Sequence, residues 1–521
     1  MEAAADGAGW AKGALLARAC RLAQLQACAT CAALCALWAA AAARRRMGAE
    51  EVLLAQERAR EGAREGVRRE YPAVSVVVPT RGVGSSEHAL RNLLAQLRMG
   101  YDGPVEFLFG VEDDEAPECA ELAAVAAQHA PLDRPVTVVP AGAAVRTSQK
   151  IANQLACLER VSAGSEYVLF LDDDMAPASG LLAALVDAMD AAPEALLATG
   201  FPFDVPVHPQ SSARDISDRG ALARALCTLA QHATMWHHLP LLVPFSLFGR
   251  GHFVWGGCML FRAPELARDA HGIVSAWRDG GYSVRAECAR LKPARPCASG
   301  AQHPILTRGR LRVHACCCAH HQDDLVAAAT SVAARRPVLS PAAAFFPQRL
   351  EANTTLGSYW NYLRRQLYVL FMYAYDDGDR YKNRVMATVY AYLSATLFAG
   401  EACAMAAVAR ALARALCGGY VVAGVDTADA WLSAVTLLLG FALAHEACSL
   451  TRKLAGLSNA LSPESPTDTS ALSLAAMIAA MALNQVALPL AMVYTALSPA
   501  VVWGGRRYRR RRGKVHTIDV L

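Results

Sequence analysis

Tyr167-Val-Leu-Phe-Leu-Asp-Asp-Asp-Met175 is the stretch that decides the fold. An uninterrupted apolar run of this length reads as a buried strand, and the strand stops at three carboxylates. Asp172 and Asp174 stand at i and i+2, so an extended backbone delivers both to one edge of a sheet. Hard oxygen ligands in that spacing suit Mg²⁺ or Mn²⁺, and such an ion neutralises the charge that develops on a diphosphate leaving group. Asp173 either reaches a ribose or shapes the turn. The plainer alternative is an acidic turn that caps the helix after Pro177.

Working outward, Ala73–Val78 is a second buried-strand run, closed by Pro79-Thr80-Arg81-Gly82. Helical pattern follows over Glu87–Leu97, strand over Val105–Val111, helix over Glu118–Ala130, strand over Val136–Val139 and helix over Gln149–Leu158. This alternation predicts an α/β domain with an open, mainly parallel sheet. Ligands of such sheets bind beyond the carboxyl ends of the strands, where both acidic clusters fall.

Three further groups carry candidate chemistry. Glu112-Asp113-Asp114 follows the strand Val105–Val111; there Asp113 or Asp114 can meet a nucleoside, or simply be a solvated loop. Lys150 and Asn153 lie at i, i+3 on one helix face, placed to meet a diphosphate, although a surface lysine reads the same way. Gln322-Asp323-Asp324-Leu325 offers a general base for an acceptor hydroxyl, or an acidic helix cap.

The ends of the chain differ from its middle. The 521 residues are 54% hydrophobic, with a mean hydropathy of +0.22, more apolar than ordinary soluble domains. Residues 25–43 carry no charge and reach spanning length, and Arg44, Arg45 and Arg46 follow at once. A retained anchor with its C-terminal side in the cytosol is expected, a cleaved signal peptide being the alternative. Residues 47–70 read as a charged juxtamembrane linker or helix. Apolar segments recur near 385–409, 419–446 and 471–503, with Ser458–Ser470 as a polar loop between the last two. Glu401, Asn484, Gln485 and Pro489 interrupt them, which is unusual in lipid-facing helices. The formal charge of +5 is modest, and the basic tail from Arg506 to Lys514 follows an apolar run. Anionic lipid headgroups suit it better than nucleic acid. The 16 cysteines form no secreted framework; many, such as Cys31 and Cys448, sit in apolar runs as small hydrophobes.

Taken together these motifs resemble the family 2-like glycosyltransferases of the GT-A fold, and more narrowly the ceramide glucosyltransferases. That pattern has three aspartate sites and a final Q/R-x-x-R-W. Asp113/Asp114, Asp172–Asp174 and Asp323/Asp324 match the first three, and Tyr359-Trp-Asn-Tyr-Leu-Arg-Arg-Gln366 matches the last loosely. The Lys150/Asn153 helix and Phe253-Val-Trp-Gly-Gly-Cys-Met-Leu-Phe-Arg262 look like further blocks of that family.

The resemblance implies a GT-A domain over 71–372, an anchor over 1–46, membrane helices over 373–505 and a basic tail over 506–521. It implies an inverting hexosyltransferase: UDP-glucose as donor, a divalent cation, ceramide as acceptor and β-glucosylceramide as product. A multi-pass protein of the Golgi or endoplasmic reticulum, its catalytic domain facing the cytosol, is expected. Asp113, Asp114, Lys150, Asn153, Asp172 and Asp173 would contact the donor. Asp172 and Asp174 would hold the metal. Asp323, the first of its pair, or Asp324 would be the base. Arg364 and Arg365 would meet the diphosphate or the acceptor head.

Two departures stand out. Gln366 occupies the tryptophan position and Tyr362 the first position of the last motif, which counts against processive polysaccharide synthases. Val284–Gln322 interrupts the text between Gly280-Gly-Tyr-Ser283 and Asp323, and reads as an insertion without a role; its Cys316-Cys-Cys-Ala-His-His321 is too crowded for a zinc site. A catalytically impaired membrane scaffold is the competing class.

Overall fold

A computed structural model describes residues 2–64, 70–82, 88–113, 115, 117–131, 133–144, 147–209, 220–278, 323–372, 377–416, 426–503, 506–511 and 514–520. The insertion Val284–Gln322 and Asp114 lie outside the described residues.

The sheet is built from β1 (Val74–Pro79), β2 (Val105–Val111), β3 (Val136–Pro140), β4 (Tyr167–Leu171), β5 (Leu197–Thr199), β7 (Arg250–Gly251), β8 (Cys258–Arg262) and β9 (Val338–Leu339), with β6 (Phe201–Val205) outside it. Its order is β3-β2-β1-β4-β8-β5-β9-β7. The first four strands are parallel, and β8 runs antiparallel between β4 and β5. β6 pairs in parallel with β10 (Phe345–Arg349) in a separate ribbon.

Every residue of β1 and β4 is buried, because helices cover both faces of this part of the sheet. Val76 and Val78 pack on one side with Leu93, Leu97 and Phe109. Val77 and Phe170 pack on the other with Ile151 and Trp277. Phe170 meets Phe261 and Trp277 edge-on at 5.9 and 5.3 Å. Replacing it with alanine would cost about 3–5 kcal/mol.

The helices between strands are α2 (Ala89–Leu97), α3 (Pro117–His129), α4 (Gln149–Leu158), α5 (Leu181–Asp190), α6 (Ala221–His238), α7 (Leu242–Leu247), α8 (Ala263–Ala267), α9 (Ile273–Arg278) and α10 (Asp323–Ala333). Ser148 starts α4 by accepting the Ile151 N–H at 3.3 Å, an ordinary serine N-cap. The chain builds β1, β2 and β3 in one direction, then returns across β1 to lay down β4. The crevice between β1 and β4 is therefore the switch point of the sheet, where ligands bind in such folds.

Outside this core, α1 runs unbroken from Glu2 to Arg64, so the expected anchor and linker form one helix. α11 (Leu356–Met372), α12 (Asp377–Leu416), α13 (Asp426–Leu461) and α14 (Leu474–Leu497) follow the sheet. Four helical stretches are long and apolar enough to cross a membrane: Ala14–Arg58, Ala387–Ala413, Asp429–Leu461 and Leu474–Leu497. α13 runs parallel to α1, with Arg21 bonded to Asp429 at 2.5 Å and Gln24 to Ser433 at 3.1 Å. α12 runs antiparallel to α1. Gly400 sits against Ala27, where an added Cβ would come within 2.2 Å of the alanine methyl, the small-residue packing of membrane helices. α14 behaves differently. Its start is tied to α6, Ser473 N–H donating to His232 Nε2 at 3.0 Å. Its far end is tied to α11, Arg364 donating to Ser498 Oγ at 3.4 Å. Both ends thus touch the globular domain.

Several expectations need correction. Arg45, for which the sequence indicates only a cytosolic flank, is fully buried, and its guanidinium donates to Ser246 Oγ and to the carbonyls of Phe245 and Pro341 at 2.8–2.9 Å. Five donors in a rigid fork suit such carbonyl-rich anchoring. The helix continues to Leu461, shortening the polar loop. The basic tail is not a free tail, because β11 (Ala500–Trp503), β12 (Arg506–Arg511) and β13 (Lys514–Val520) form an antiparallel sheet. The apolar run Leu239–Phe248 forms a 3-10 turn over Leu239–Leu241 followed by α7. The described cysteines are free thiols.

Candidate active site

Lys150 is the hub of the acidic cluster. Its ammonium lies 2.8 Å from Asp172 Oδ1 and 3.1 Å from Asp323 Oδ2, and donates to the Gly256 carbonyl at 3.1 Å. Burial opposes the charge on Lys150, but Asp172 and Asp323 outweigh it and hold the ammonium above its ordinary range. Two carboxylates 151 positions apart in the chain therefore share one cation. α4 places Lys150 at the carboxyl end of β4, and α10 opens with Asp323 beside it.

The turn after β4 is held by amides that the sequence reading assigned no role. Gln96 Nε2 donates to the carbonyls of Asp172 and Met175, both at 2.9 Å, and Asn92 Nδ2 to that of Asp173 at 3.2 Å. Gln154 Nε2 donates to Asp323 Oδ2 at 2.9 Å, and Gln348 Nε2 to Asp174 Oδ2 at 2.7 Å. Gln154 follows Asn153 directly on α4, whereas nothing in the sequence singles out Gln348. Gly256 is required here, since an added Cβ would lie 2.8 Å from Asp323 Oδ1.

The electrostatics follow from this crowding. Burial pushes Asp172 up to about 6, although Lys150 pulls the other way. Burial and then the charges of Asp172 and Asp173 push Asp174 up to about 7. Asp324 is pushed to about 7 by burial and then by Asp323. Asp173 is also raised by burial, and it accepts from the Thr80 hydroxyl and the Arg81 backbone. It thereby shapes the β1–β4 crevice, and it lines a cleft with Thr80, Gly82, Phe109 and Leu122.

The remaining candidates separate. Asp113 is exposed at the end of β2, its Oδ1 accepting the Glu115 N–H at 3.0 Å. Asn153 shares the Lys150 face but turns inward: its Nδ2 donates to the Gly110 carbonyl at 2.9 Å and its Oδ1 accepts from Gln149. It braces the ends of β1 and β2 and has no group left for a ligand. Arg364 and Arg365 also part, because neighbours on a helix differ by about 100°. Arg364 donates to the Ala500 carbonyl at 2.8 Å and covers the Tyr494 ring, facing the C-terminal sheet. Arg365 lies over the Tyr362 ring at 5.5 Å and feels the charge of Asp174.

A divalent cation fits what is present. Asp174 Oδ1 is buried and has no partner among the described residues, an orphaned carboxylate oxygen beside two further acids. No three-residue cation cage exists among the described residues. Small hard cations at phosphate sites commonly take one or two carboxylates and complete their shell with phosphate oxygens and water. Asp172 is engaged by Lys150, so the carboxylate oxygen open to such a cation is Asp174 Oδ1.

An apolar groove of about 510 Å³ is walled by Leu34 and Leu37 of α1, Pro240 and Pro244 around α7, Tyr392 of α12, and Phe253. Phe253 stands three positions before Gly256, whose carbonyl accepts from Lys150.

No family model matches the chain, and no curated protein matches it. Among solved structures it is similar to the mannosyltransferase PcManGT from Pyrobaculum calidifontis in complex with GDP-Man and Mn²⁺, at 16% identity and TM-score 0.32, covering 88% of this chain and 99% of that one. It is also similar to S. aureus TarS 1–349 in complex with UDP-GlcNAc, at 8% identity and TM-score 0.28, covering 87% and 100%. A third is glucosyl-3-phosphoglycerate synthase from Mycobacterium tuberculosis with Mn²⁺, UDP-Glc and phosphoglyceric acid, at 16% identity and TM-score 0.20, covering 37% and 58%. Likeness this distant carries no argument about substrate.

Proposed function

We propose that this chain is a membrane-bound glycosyltransferase that moves a sugar from a nucleotide-sugar to the hydroxyl of a lipid. The observation that carries the reading is the Asp172–Lys150–Asp323 cluster, with the orphaned Asp174 oxygen, at the switch point of the sheet in a chain that also carries long apolar helices. Within that class the ceramide glucosyltransferase reaction, UDP-glucose to β-glucosylceramide with inversion, is the particular activity proposed. Its support is the order of the three aspartate sites and the membrane segments.

The residues divide the work. The carboxyl ends of β1 and β4 would receive the donor, and Asp174 with Asp172 would hold the divalent cation. When bound, that cation offsets charge on the diphosphate. Arg365 supplies a second positive charge near Asp174. Asp324 is the better base of the pair: it is partly exposed, and a group near pH 7 both accepts a proton and is ionised often enough to do so. Asp323 is a positioning residue, its Oδ2 being taken by Lys150 and Gln154 and its Oδ1 by the Asp324 N–H at 3.1 Å. The groove lets a lipid present its hydroxyl without leaving the apolar phase. Arg44–Arg46 put the catalytic domain in the cytosol by the positive-inside rule.

The test is expression in cells lacking glucosylceramide, with lipids read by mass spectrometry and Asp174→Asn as the control. Restored β-glucosylceramide, absent with the control, is the expected result. A different glycolipid would keep the class and remove the glucose–ceramide pair. No turnover of any nucleotide-sugar by the purified chain would remove the class.

A further inference from the structure

The loop between α13 and α14 carries two Ser-Pro pairs, Ser462-Pro463 and Ser465-Pro466, and the fold treats them differently. Ser462 is buried and its Oγ accepts the Ser179 N–H at 2.7 Å, so that hydroxyl is committed to the globular domain. Ser465 is half-buried between the exposed Glu464 and Pro466. It lines a cavity of about 260 Å³ whose other walls include Arg91 of α2 and Arg98 just past its end.

The surroundings of Ser465 are short of negative charge. Arg91 donates to the Pro466 carbonyl at 2.6 Å, and Arg349, at the end of β10, donates to the same oxygen at 3.4 Å. Two guanidinium groups thus converge on one neutral acceptor. Glu464 also lines the cavity, yet no carboxylate pairs with Arg91 or Arg349 among the described residues. Arg349 Nη1 is buried and has no hydrogen-bond partner among them either. Burial and then the charge of Arg91 push Arg349 down to about 10, the mark of a cation without its counter-charge. A buried donor left unpaired is costly and calls for an acceptor.

We propose that Ser465 is a phosphorylation site for a proline-directed protein kinase, and that its phosphate docks on Arg91 and Arg349, clamping the α13–α14 loop to the catalytic domain. The γ-phosphoryl group of ATP is transferred: the bond from Ser465 Oγ to phosphorus forms, the bond from that phosphorus to the leaving ADP oxygen breaks, and the hydroxyl proton passes to the kinase's base. Phosphoserine brings nearly two negative charges and three acceptor oxygens, which match the planar donor forks of arginine. The loop lies on the catalytic domain's side, because Arg91 and Ser179 bond to it. The assignment therefore rests on the cytosolic placement of that domain, where ATP and kinases are found, and not on the sugar transfer.

The full chain, in a phosphorus-free detergent, is treated with ATP and a mitogen-activated protein kinase, and the labelled peptides are mapped by mass spectrometry. In parallel, phosphoserine is placed at position 465 during translation and titrated by phosphorus NMR. Label is expected on Ser465 and not on Ser462. The second phosphate pKa should fall to about 5 or below, against about 6 in the matching free peptide. Arg91→Gln combined with Arg349→Gln should return it to the value of the peptide, and either single variant serves if the pair fails to fold.

None of these readouts needs sugar transfer, so they stand if the enzyme reading fails. Turnover of a nucleotide-sugar without label on Ser465 overturns the modification and leaves the enzyme reading in place. A peptide-like titration in the folded chain, or one unmoved by loss of the arginines, overturns the docking. Inorganic phosphate that raises the denaturation midpoint of the unmodified chain, with Ser465 left unlabelled, would make the cavity a site for a free anion and overturn the assignment as well.

Discussion

Lys150→Met is the most informative perturbation of the cluster. Methionine keeps most of the side-chain length and removes the charge. Asp172 and Asp323 each lie within 3.1 Å of the same nitrogen, so these oxygens are at most about 6 Å apart. At an effective dielectric of about 20, two bare carboxylates at that distance repel by about 3 kcal/mol. Removing one partner of a buried ion pair commonly costs about 3–5 kcal/mol, in agreement. One carboxylate escapes the repulsion by keeping its proton. Its folded pKa then stands further above the unfolded value, so the variant loses stability as pH rises through that pKa and recovers it as pH falls. The deficit should open above about 6, the value Asp172 has with Lys150 in place. The assay is the denaturation midpoint of wild type and variant across a pH series in one detergent, alongside nucleotide-sugar turnover. Turnover should fall by roughly 10²-fold or more, since an electrostatic contact of the reacting site is lost. A variant whose midpoint tracks the wild type at every pH would refute the picture of a single ammonium holding two buried acids together.

Three further outcomes follow from the same geometry. Mn²⁺ should raise the denaturation midpoint at about pH 8, by the equivalent of about 3 kcal/mol near a hundredfold excess over Kd, and much less at about pH 5.5. Asp174, pushed up to about 7, is protonated at the lower pH, and Asp174→Asn should erase the difference. Asp324→Asn should lower kcat by roughly 10²–10⁴-fold and remove the rise in rate through about pH 7; a milder loss than that of Asp323→Asn, with the pH limb intact, would return the base to Asp323. Tags near residue 60 and after Leu521 should share one side of sealed microsomes: α12 runs away from the globular domain, α13 returns, and α14 touches it at both ends. Opposite accessibility would mean that α14 crosses.

The alternation of strands with helices and the acidic turn were legible in the sequence because they rest on local physics. A β-branched or aromatic run buried on both faces needs no partner to be recognised, and β1, β2, β4 and α4 fall within a residue or two of their expected bounds. Asp172–Asp174, Lys150 and the Asp323/Asp324 pair were also legible, as charges at strand ends or helix starts. What each of them bonds to was not. Lys150 binds Asp323 across 173 positions of chain, Gln348 reaches Asp174 across 174, and Trp38 of α1 meets Trp236 of α6 edge-on. No periodicity encodes such meetings. The same limit explains Asn153, which looks like a ligand contact by residue type, yet the fold turns its amide onto the Gly110 carbonyl and Gln149. A sequence declares which groups carry charge or hydrogen bonds; only tertiary packing, by closing off water, decides which of them must answer one another and which are left facing a ligand.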